Sequence, residues 1–213
     1  LGAVLDLSPF IRDVLLVRPD IIESLFDVQL NRRVETIICG IEALGSLHPS
    51  EAELMTLLRR AKTEAYVLIA LGDLAGLYGK AATTARVSAL AIACVNTAVN
   101  FLLRDAGAKG VLNIAEMDDP AKNSGWIILA MGKLGAHELN YSSDIDLIVF
   151  FDGDALAVTD KFDGVEVFSK LTRRLVRILQ ERTSDGYVFR TDLRLRPDPG
   201  STPVAIPIEM ALQ

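Results

Sequence analysis

The stretch GKLGAHELNYSSDIDLIVFFD, residues 132–152, places a glycine-flanked loop ahead of two aspartates that open an otherwise apolar run. A carboxylate that is taken out of water is strongly destabilising unless a cation pairs with it. Asp144 and Asp146 therefore need a partner. The β-favouring residues around them predict a strand over 144–151, and a similar run predicts an earlier strand over 126–132.

Side chains alternate between the two faces of a strand, so Asp144 and Asp146 share one face with Ile148 and Phe150. The two aspartates stand about 6–7 Å apart at the backbone, because each residue of a strand rises about 3.3 Å. At the start of the strand both carboxylates can stay partly solvated and converge on one divalent cation. Mg²⁺ is typically held by one or two carboxylates together with substrate phosphates.

A later segment, YVFRTDLRLRP (187–197), is predicted as a third strand with one face carrying Asp192 among Arg190, Arg194 and Arg196. If it lies beside the first acidic strand, Asp192 completes a cluster of three carboxylates. The arginines would then suit a phosphate-bearing substrate. Two metal ions bridged by such carboxylates can clamp the attacking and leaving oxygens in phosphoryl or nucleotidyl transfer.

The loop before the aspartates has the composition of a phosphate cradle. Gly132 and Gly135 permit a tight turn with close backbone approach, exposed amides there can bind a phosphate, and Lys133 adds a positive charge. The stretch does not fit the Walker A pattern, and it lacks the strand–GxGxxG–helix context of a dinucleotide site.

Each of these features also has a structural interpretation. The aspartates can solvate a strand end, the arginines can form a charged outer face paired with Asp192, and Lys133 can be a surface lysine. We expect His48 and His137 to be exposed and structural. Four basic residues are expected on the solvated side of a predicted helix over 165–183: Arg173, Arg174, Arg177 and Arg182. The order of glycine turn, D-x-D strand and later aspartate nevertheless favours a metal site.

Composition limits the class of protein. The chain has 213 residues, of which 50% are hydrophobic and 6% aromatic, and its net charge is −6. That charge argues against bulk binding to nucleic acid or to an anionic membrane, and the few aromatics argue against a polymerase-like enzyme that stacks bases. Cys39 and Cys94 form no CxxC pair, which is typical of a reduced cytoplasmic protein without structural zinc.

The ends and the longest apolar zone carry further expectations. The zone 89–103 is too short and too polar to span a bilayer, so a buried helix is predicted there. No signal peptide opens the chain. It begins with Leu1 and closes on IPIEMALQ, which resembles an unfinished helix, so we expect a fragment of a longer protein.

The predicted element order indicates an α+β fold. Residues 1–112 read as successive helices, including 30–44, one that starts at a Ser50–Glu53 capping box and runs to about Gly79, and 81–106. The polar stretch 113–125 marks a boundary, and 113–213 reads as strand, loop, strand, helix and strand, truncated at the C-terminus. We therefore predict a helical region followed by a catalytic domain with a small mixed sheet flanked by helices.

The order of glycine turn, hD-h-D-h strand and third acid resembles the polymerase-β-like nucleotidyltransferase superfamily. The segments MGKLGAHELNYSSDIDLIVF and DGYVFRTDLRLRPDPGSTP resemble one family within it, the glutamine synthetase adenylyltransferase/adenylyl-removing enzymes. That resemblance covers residues 126–206 closely. It extends more loosely to LLRRAKTEAYVLIALGDLAG, where the family's arginine-rich pattern is only partly kept.

The resemblance implies a set of residue roles. Asp144, Asp146 and Asp192 would hold Mg²⁺, with Mn²⁺ able to substitute and a second metal ion able to bind. Gly132 would be the glycine of the nucleotide loop, with Ser143 beside the metal pair. At the position after that glycine the superfamily commonly has serine or glycine, whereas this chain has Lys133, as the family does. On face geometry, Arg194 and Arg196 are our own candidates for contact with phosphate or AMP.

The family also implies an activity and partners. Its members have two related halves, of which one attaches AMP to a tyrosine of glutamine synthetase, and the other removes it with phosphate, yielding ADP. The segments ELNYSSDIDL and DGYVFRTDLRLRP resemble the N-terminal, adenylyl-removing half more than the other half. The alternatives are the attaching half, which uses ATP, and a non-catalytic nucleotide-binding domain. A PII signalling protein is the expected regulator, and the cytoplasm the expected location.

Overall fold

Helices precede a small sheet in the computed structural model, which describes residues 8–23, 25, 28–153, 158–159 and 162–211. The order confirms the α+β class. The first part contains α1 Pro9–Val17, α2 Asp20–Glu23, α3 Leu30–Ala43, a 3₁₀ turn Leu44–Leu47, α4 Glu51–Leu74 and α5 Lys80–Ala108. The second part contains β1 Trp126–Ala130, α6 Gly132–Gly135, β2 Ile145–Phe151, α7 Gly164–Gln180, β3 Thr191–Asp192, β4 Ile206–Pro207 and α8 Ile208–Ala211.

The long helix α4 begins where the sequence predicts and ends earlier. The Ser50 hydroxyl accepts a hydrogen bond from the Glu53 amide, and the Glu53 carboxylate accepts one from the Ser50 amide, which confirms the capping box. The helix stops at Leu74 rather than near Gly79, because the chain turns into the left-handed region at Gly76, with φ +69°.

The helix α5 is longer than the apolar zone from which it was predicted. Its 29 residues are long and apolar enough, by length and composition alone, to cross a membrane. However, 67% of its most apolar window is buried inside the protein. Packing against α3, α4 and α7 therefore accounts for its apolar composition.

The strand β2 organises the sheet. β1 pairs with it antiparallel, and β3 and β4 pair with it in parallel, β3 at its start and β4 at its end. Burial alternates along β2: its core face carries Ile145, Leu147, Val149 and Phe151. The predicted alternation is thus confirmed, and Asp146 lies on the more open face.

One continuous core joins the helices to the sheet among the described residues. Phe151 of β2 stacks on Phe168 of α7 with ring centroids 5.0 Å apart, and α7 buries Leu171, Leu175 and Ile178 behind it. The boundary at 112/113 stays a prediction.

The third strand is much shorter than predicted, since only Thr191 and Asp192 of the segment 187–197 pair with β2. The amides of Val188 and Phe189 instead donate to the Leu179 carbonyl at the end of α7, at 2.9 and 3.0 Å. Both side chains are buried, although strand alternation would put them on opposite faces. The expected alternation over 187–197 is therefore wrong outside β3, because the end of α7 takes these backbone donors.

Candidate active site

The two acidic strands meet in register. Asp146 of β2 lies directly opposite Asp192 of β3 in the parallel pair, and the Ile145 amide donates to the Arg190 carbonyl at 2.9 Å. The predicted adjacency of the D-x-D strand and the third aspartate is thereby confirmed. Two carboxylates facing each other repel, so this end of the sheet favours cations.

Asp144 lies one residue before β2 and is paired with Arg190. The Arg190 Nε donates to Asp144, and its Nη2 donates to the Ser142 carbonyl at 2.8 Å. Hydrogen bonding to Asp144 raises the pKa of Arg190. The Asp144 and Arg190 side chains are 45% and 56% exposed, so both can change partners in solvent.

Asp192 is paired with Arg194, as the structural interpretation of these arginines predicts. The guanidinium donates through Nε at 3.0 and 2.9 Å to the two carboxylate oxygens, and the Arg194 amide adds a bond of 2.8 Å. These side-chain and backbone hydrogen bonds lower the pKa of Asp192 below its ordinary value. Asp192 is therefore ionised over the whole physiological range.

The glycine loop lies directly against Asp146. Gly132 has φ +53°, and a Cβ at that position would lie 2.7 Å from the Asp146 Oδ2. The Met131 amide donates to the Asp146 carbonyl at 2.9 Å, which ties the start of the loop to β2. A side chain at residue 132 would thus occupy the space beside the carboxylate, so glycine is needed both for the turn and for the close approach.

Lys133 and Ser143, both candidates for phosphate contact, touch each other. The Lys133 Nζ donates to the Ser143 Oγ at 3.1 Å, and that hydroxyl donates to the Asn140 Oδ1 at 2.9 Å. The loop is held at Leu139, whose amide donates to the Ser88 Oγ of α5 at 3.0 Å. The structure therefore joins the two ends of the loop next to Asp144.

Arg196 is turned toward the backbone. Its Nη1 donates to the Leu193 carbonyl at 2.7 Å and its Nη2 to the Pro199 carbonyl at 2.9 Å. These bonds stabilise the turn that follows β3. The role of Arg196 in phosphate contact stays a prediction.

The donor chemistry of this cluster fits a hard divalent cation, since three carboxylates lie near the paired starts of β2 and β3 and Gly132 leaves space beside Asp146. In the described conformation Asp144 and Asp192 are paired with arginines. Within the described ranges no group of three or more His, Cys, Asp or Glu side chains is already arranged around a metal position. A metal ion would therefore compete with Arg190 and Arg194 for their carboxylates, and the latter guanidinium is 81% exposed.

Sequence reasoning missed two cations of α4 that lie under the site. Arg59 is fully buried and donates to the carbonyls of Glu181 and Gly186, at 2.5 and 3.0 Å, in the turn that leads to β3. Lys62 is buried beside the rings of Tyr66 and two further aromatics. A signal was present, because Leu54, Leu58, Lys62 and Tyr66 recur at four-residue steps on the core face of α4.

The expectation for Arg174 is wrong. It is half-buried between α7 and the helical part, donating to Glu51 and Asp105 at 2.6 Å each, because these carboxylates of α4 and α5 face α7. The other three basic residues are exposed, as are His48 and His137, which adopt left-handed backbone conformations. Their predicted exposure is confirmed, but α7 ends at Gln180, so Arg182 lies beyond the helix on which it was predicted.

Comparison with known proteins gives one consistent result. The profile of the glutamate–ammonia ligase adenylyltransferase family matches residues 1–213. A Mesorhizobium japonicum protein named bifunctional glutamine synthetase adenylyltransferase/adenylyl-removing enzyme is 59% identical over 214 residues, covering 100% of this chain. Proteins of the same name from Brucella suis and Rhizobium meliloti are 56% and 50% identical, also over the whole chain. The chain spans 22% of the length of these relatives and matches their N-terminal region.

Proposed function

The chain belongs to the glutamate–ammonia ligase adenylyltransferase family, and we propose that it catalyses the removal of AMP from adenylylated glutamine synthetase by phosphorolysis. An oxygen of inorganic phosphate forms a new bond to the AMP phosphorus, and the bond from that phosphorus to the tyrosine oxygen breaks. The products are ADP and tyrosine, which recovers a proton. The names of the relatives include the adenylyl-removing activity.

The observation that carries the proposal is the register of Asp146 and Asp192 with Gly132 against the first of them. Asp144, Asp146 and Asp192 would hold Mg²⁺, or Mn²⁺ in its place. Bound there, a divalent cation supplies charge neutralisation for phosphoryl oxygens.

The remaining residues bind and orient the substrates. Lys133 and Ser143, linked at 3.1 Å, lie on the loop beside the cluster and would orient a phosphate group. Arg190 and Arg194 become available to phosphate oxygens once they release Asp144 and Asp192, because guanidinium pairs equally well with carboxylate and with phosphate.

The test uses the full-length enzyme that contains this chain. Phosphate-dependent release of ADP from adenylylated glutamine synthetase is compared between wild type, Asp144→Asn and Asp146→Asn. We expect both variants to lose release while they keep the fold. Normal release by both variants would rule the assignment out.

The opposite direction is the second candidate, because the relatives' names also include adenylyltransferase. Transfer of AMP from ATP to a glutamine synthetase tyrosine uses the same carboxylates. Incorporation of labelled AMP from ATP, measured beside ADP release in variants altered only in this chain, separates the two directions. Regulation by PII and a cytoplasmic location are part of the same proposal.

A further inference from the structure

A cavity of about 440 Å³ lies beside the acidic cluster, between α1, α4 and the loop that leads to Asp144. Its walls include Phe10, Lys62, Tyr66, Asp73, Tyr141 and Tyr187. The Asp73 carboxylate in this wall accepts a hydrogen bond from the Thr83 hydroxyl at 3.1 Å. A narrow cleft of about 10 Å³ shares several of these residues and continues to Ser143 and Arg190. Those two residues flank Asp144, so the wall of the cavity continues to the candidate active site.

Lys62 reaches the wall of this cavity from the core face of α4. The residue is 9% exposed, and its Nζ lies 4.0 Å from the ring centroid of Tyr66, 5.3 Å from that of Tyr187 and 6.0 Å from that of Phe189. No carboxylate and no hydrogen-bond acceptor pairs with this ammonium in the part of the chain that the structure describes. Aromatic faces offset only part of the cost of burying a cation, so an anion would complete the site.

Tyr141 supplies a second unused group in the same wall. Its hydroxyl is buried and has no hydrogen-bond partner among the described residues. Burial raises the pKa of Tyr141, which keeps the hydroxyl protonated and able to donate. A buried ammonium and a buried hydroxyl donor together match the oxygens of a phosphate group.

The arginines around the cluster are already engaged. Arg190 is paired with Asp144, Arg194 with Asp192, and Arg196 with two backbone carbonyls. A phosphate that approaches three carboxylates is repelled until cations neutralise them, and a cation outside the cluster can contribute to this beside a bound metal ion and the arginines. Lys62 differs from these arginines because it has no anionic partner among the described residues, so no ion pair has to break before it binds an anion.

We propose that Lys62 and Tyr141 bind a phosphate group, either the attacking inorganic phosphate or a phosphate carried by the nucleotide. The inference rests on the proposed function for the identity of the ligand. The site itself rests on the cavity, the buried ammonium and the buried hydroxyl.

The titratable and charged groups around Lys62 determine how its charge, and therefore phosphate binding, depends on pH. They are Tyr66 and Asp73 from α4, Tyr187, Tyr141 and Arg190 from the two segments that carry the aspartates, and Cys94 from α5. Burial lowers the pKa of Lys62 to about 8, raises the pKa of Cys94 to about 12 and raises the pKa of Tyr66. Phosphate affinity should therefore fall as the pH rises through 8, where Lys62 loses its charge.

The experiment measures binding of inorganic phosphate and of AMP to the full-length enzyme by calorimetry, in wild type and in Lys62→Met. We expect phosphate affinity to fall tenfold or more in the variant, and its decline above pH 8 to disappear. The exposed Lys170 on α7 provides a matched control, Lys170→Met, with unchanged binding. Loss of AMP affinity alone would support the site and assign it to the nucleotide phosphate.

Unchanged affinities for both ligands in Lys62→Met would overturn the proposal. Tyr141→Phe, which removes one hydroxyl, repeats the test if the first variant melts at a lower temperature than wild type, and a threefold or larger loss of affinity is expected. The proposed function can fail separately from this inference. In that case wild type shows no phosphate-dependent ADP release, whereas the binding titrations still show whether Lys62 binds phosphate.

Discussion

Asp146 and Asp192 lie opposite each other on parallel neighbouring strands, although a loop, a helix and a turn separate them in the chain. Facing carboxylates at one end of the sheet are unfavourable without cations. Arg194 supplies one by pairing with Asp192. A divalent cation would supply more charge at the same place, so we expect it to compete with Arg194 for Asp192.

Replacing either aspartate should abolish activity without unfolding the protein. In Asp146→Asn and Asp192→Asn we expect ADP release to fall about 100-fold or more, because the charge stabilisation at stake is worth several kcal/mol. Steady-state assays with the full-length enzyme measure the loss. Asp118→Asn, at an exposed site away from the cluster, should behave like wild type, and equal activity in all three variants would contradict the site.

The pKa of Asp192 should depend on Arg194 and not on Arg196. Side-chain and backbone hydrogen bonds from Arg194 lower that pKa, so Arg194→Ala should return it toward its ordinary value. The pairing is present above the ordinary pKa and is lost as the pH falls through the lowered one. Carboxyl NMR titration measures it, with Arg196→Ala as the control, since Arg196 donates to backbone carbonyls. An unmoved pKa in Arg194→Ala would count against this pairing.

A methyl group at residue 132 should damage the site. Gly132→Ala places a Cβ 2.7 Å from the Asp146 Oδ2 and forces alanine into the left-handed region. We expect a loss of about 1–2 kcal/mol in the free energy of unfolding from the backbone alone, together with lower activity. Gly40→Ala, at a helical site with open space, should instead stabilise by about 0.5–1 kcal/mol. Urea denaturation of both variants compares them, and equal effects would contradict the close approach.

Arg59 should matter for stability far more than its neighbour. Arg59→Met removes the donor to the Glu181 carbonyl and one of the donors to the Gly186 carbonyl, which also accepts from the Thr183 amide, and we expect a loss of about 1–3 kcal/mol. Arg60→Met removes an exposed ion pair with Asp185 and should cost less than about 1 kcal/mol. Denaturant unfolding measures both changes. If the two losses are the same, Arg59 does not hold the turn before β3.

The stability difference between Lys62→Met and wild type should depend on pH. Burial lowers the pKa of Lys62 from 10.5 to about 8, so the unfolded state binds more protons between these values. Wild-type stability therefore rises relative to the variant as the pH increases from 8 to 10.5. We expect the variant to be at least as stable as wild type at pH 7, with its advantage shrinking over that window. Unfolding at pH 7, 9 and 10 tests this, and a constant difference would contradict the buried charge.

Local patterns in the sequence were sufficient for several elements. The capping box at Ser50 and the alternation along β2 depend on residues a few positions apart, so their geometry follows from helix and strand periodicity. The register of Asp146 with Asp192 could be stated only as a condition. It depends on how a turn and the end of α7 deliver the chain to β2.

The sequence by itself determined the α+β class, the glycine turn and the three aspartates, because each lies in a short run whose spacing carries the information. Only the tertiary structure decided which cation serves which carboxylate: Arg190 for Asp144, Arg194 for Asp192, and Lys62 for neither. It also limited the third strand to two residues, because the Leu179 carbonyl accepts the amides of Val188 and Phe189 just before the strand begins. Such choices depend on distances between groups remote in the chain, and periodicity does not encode them.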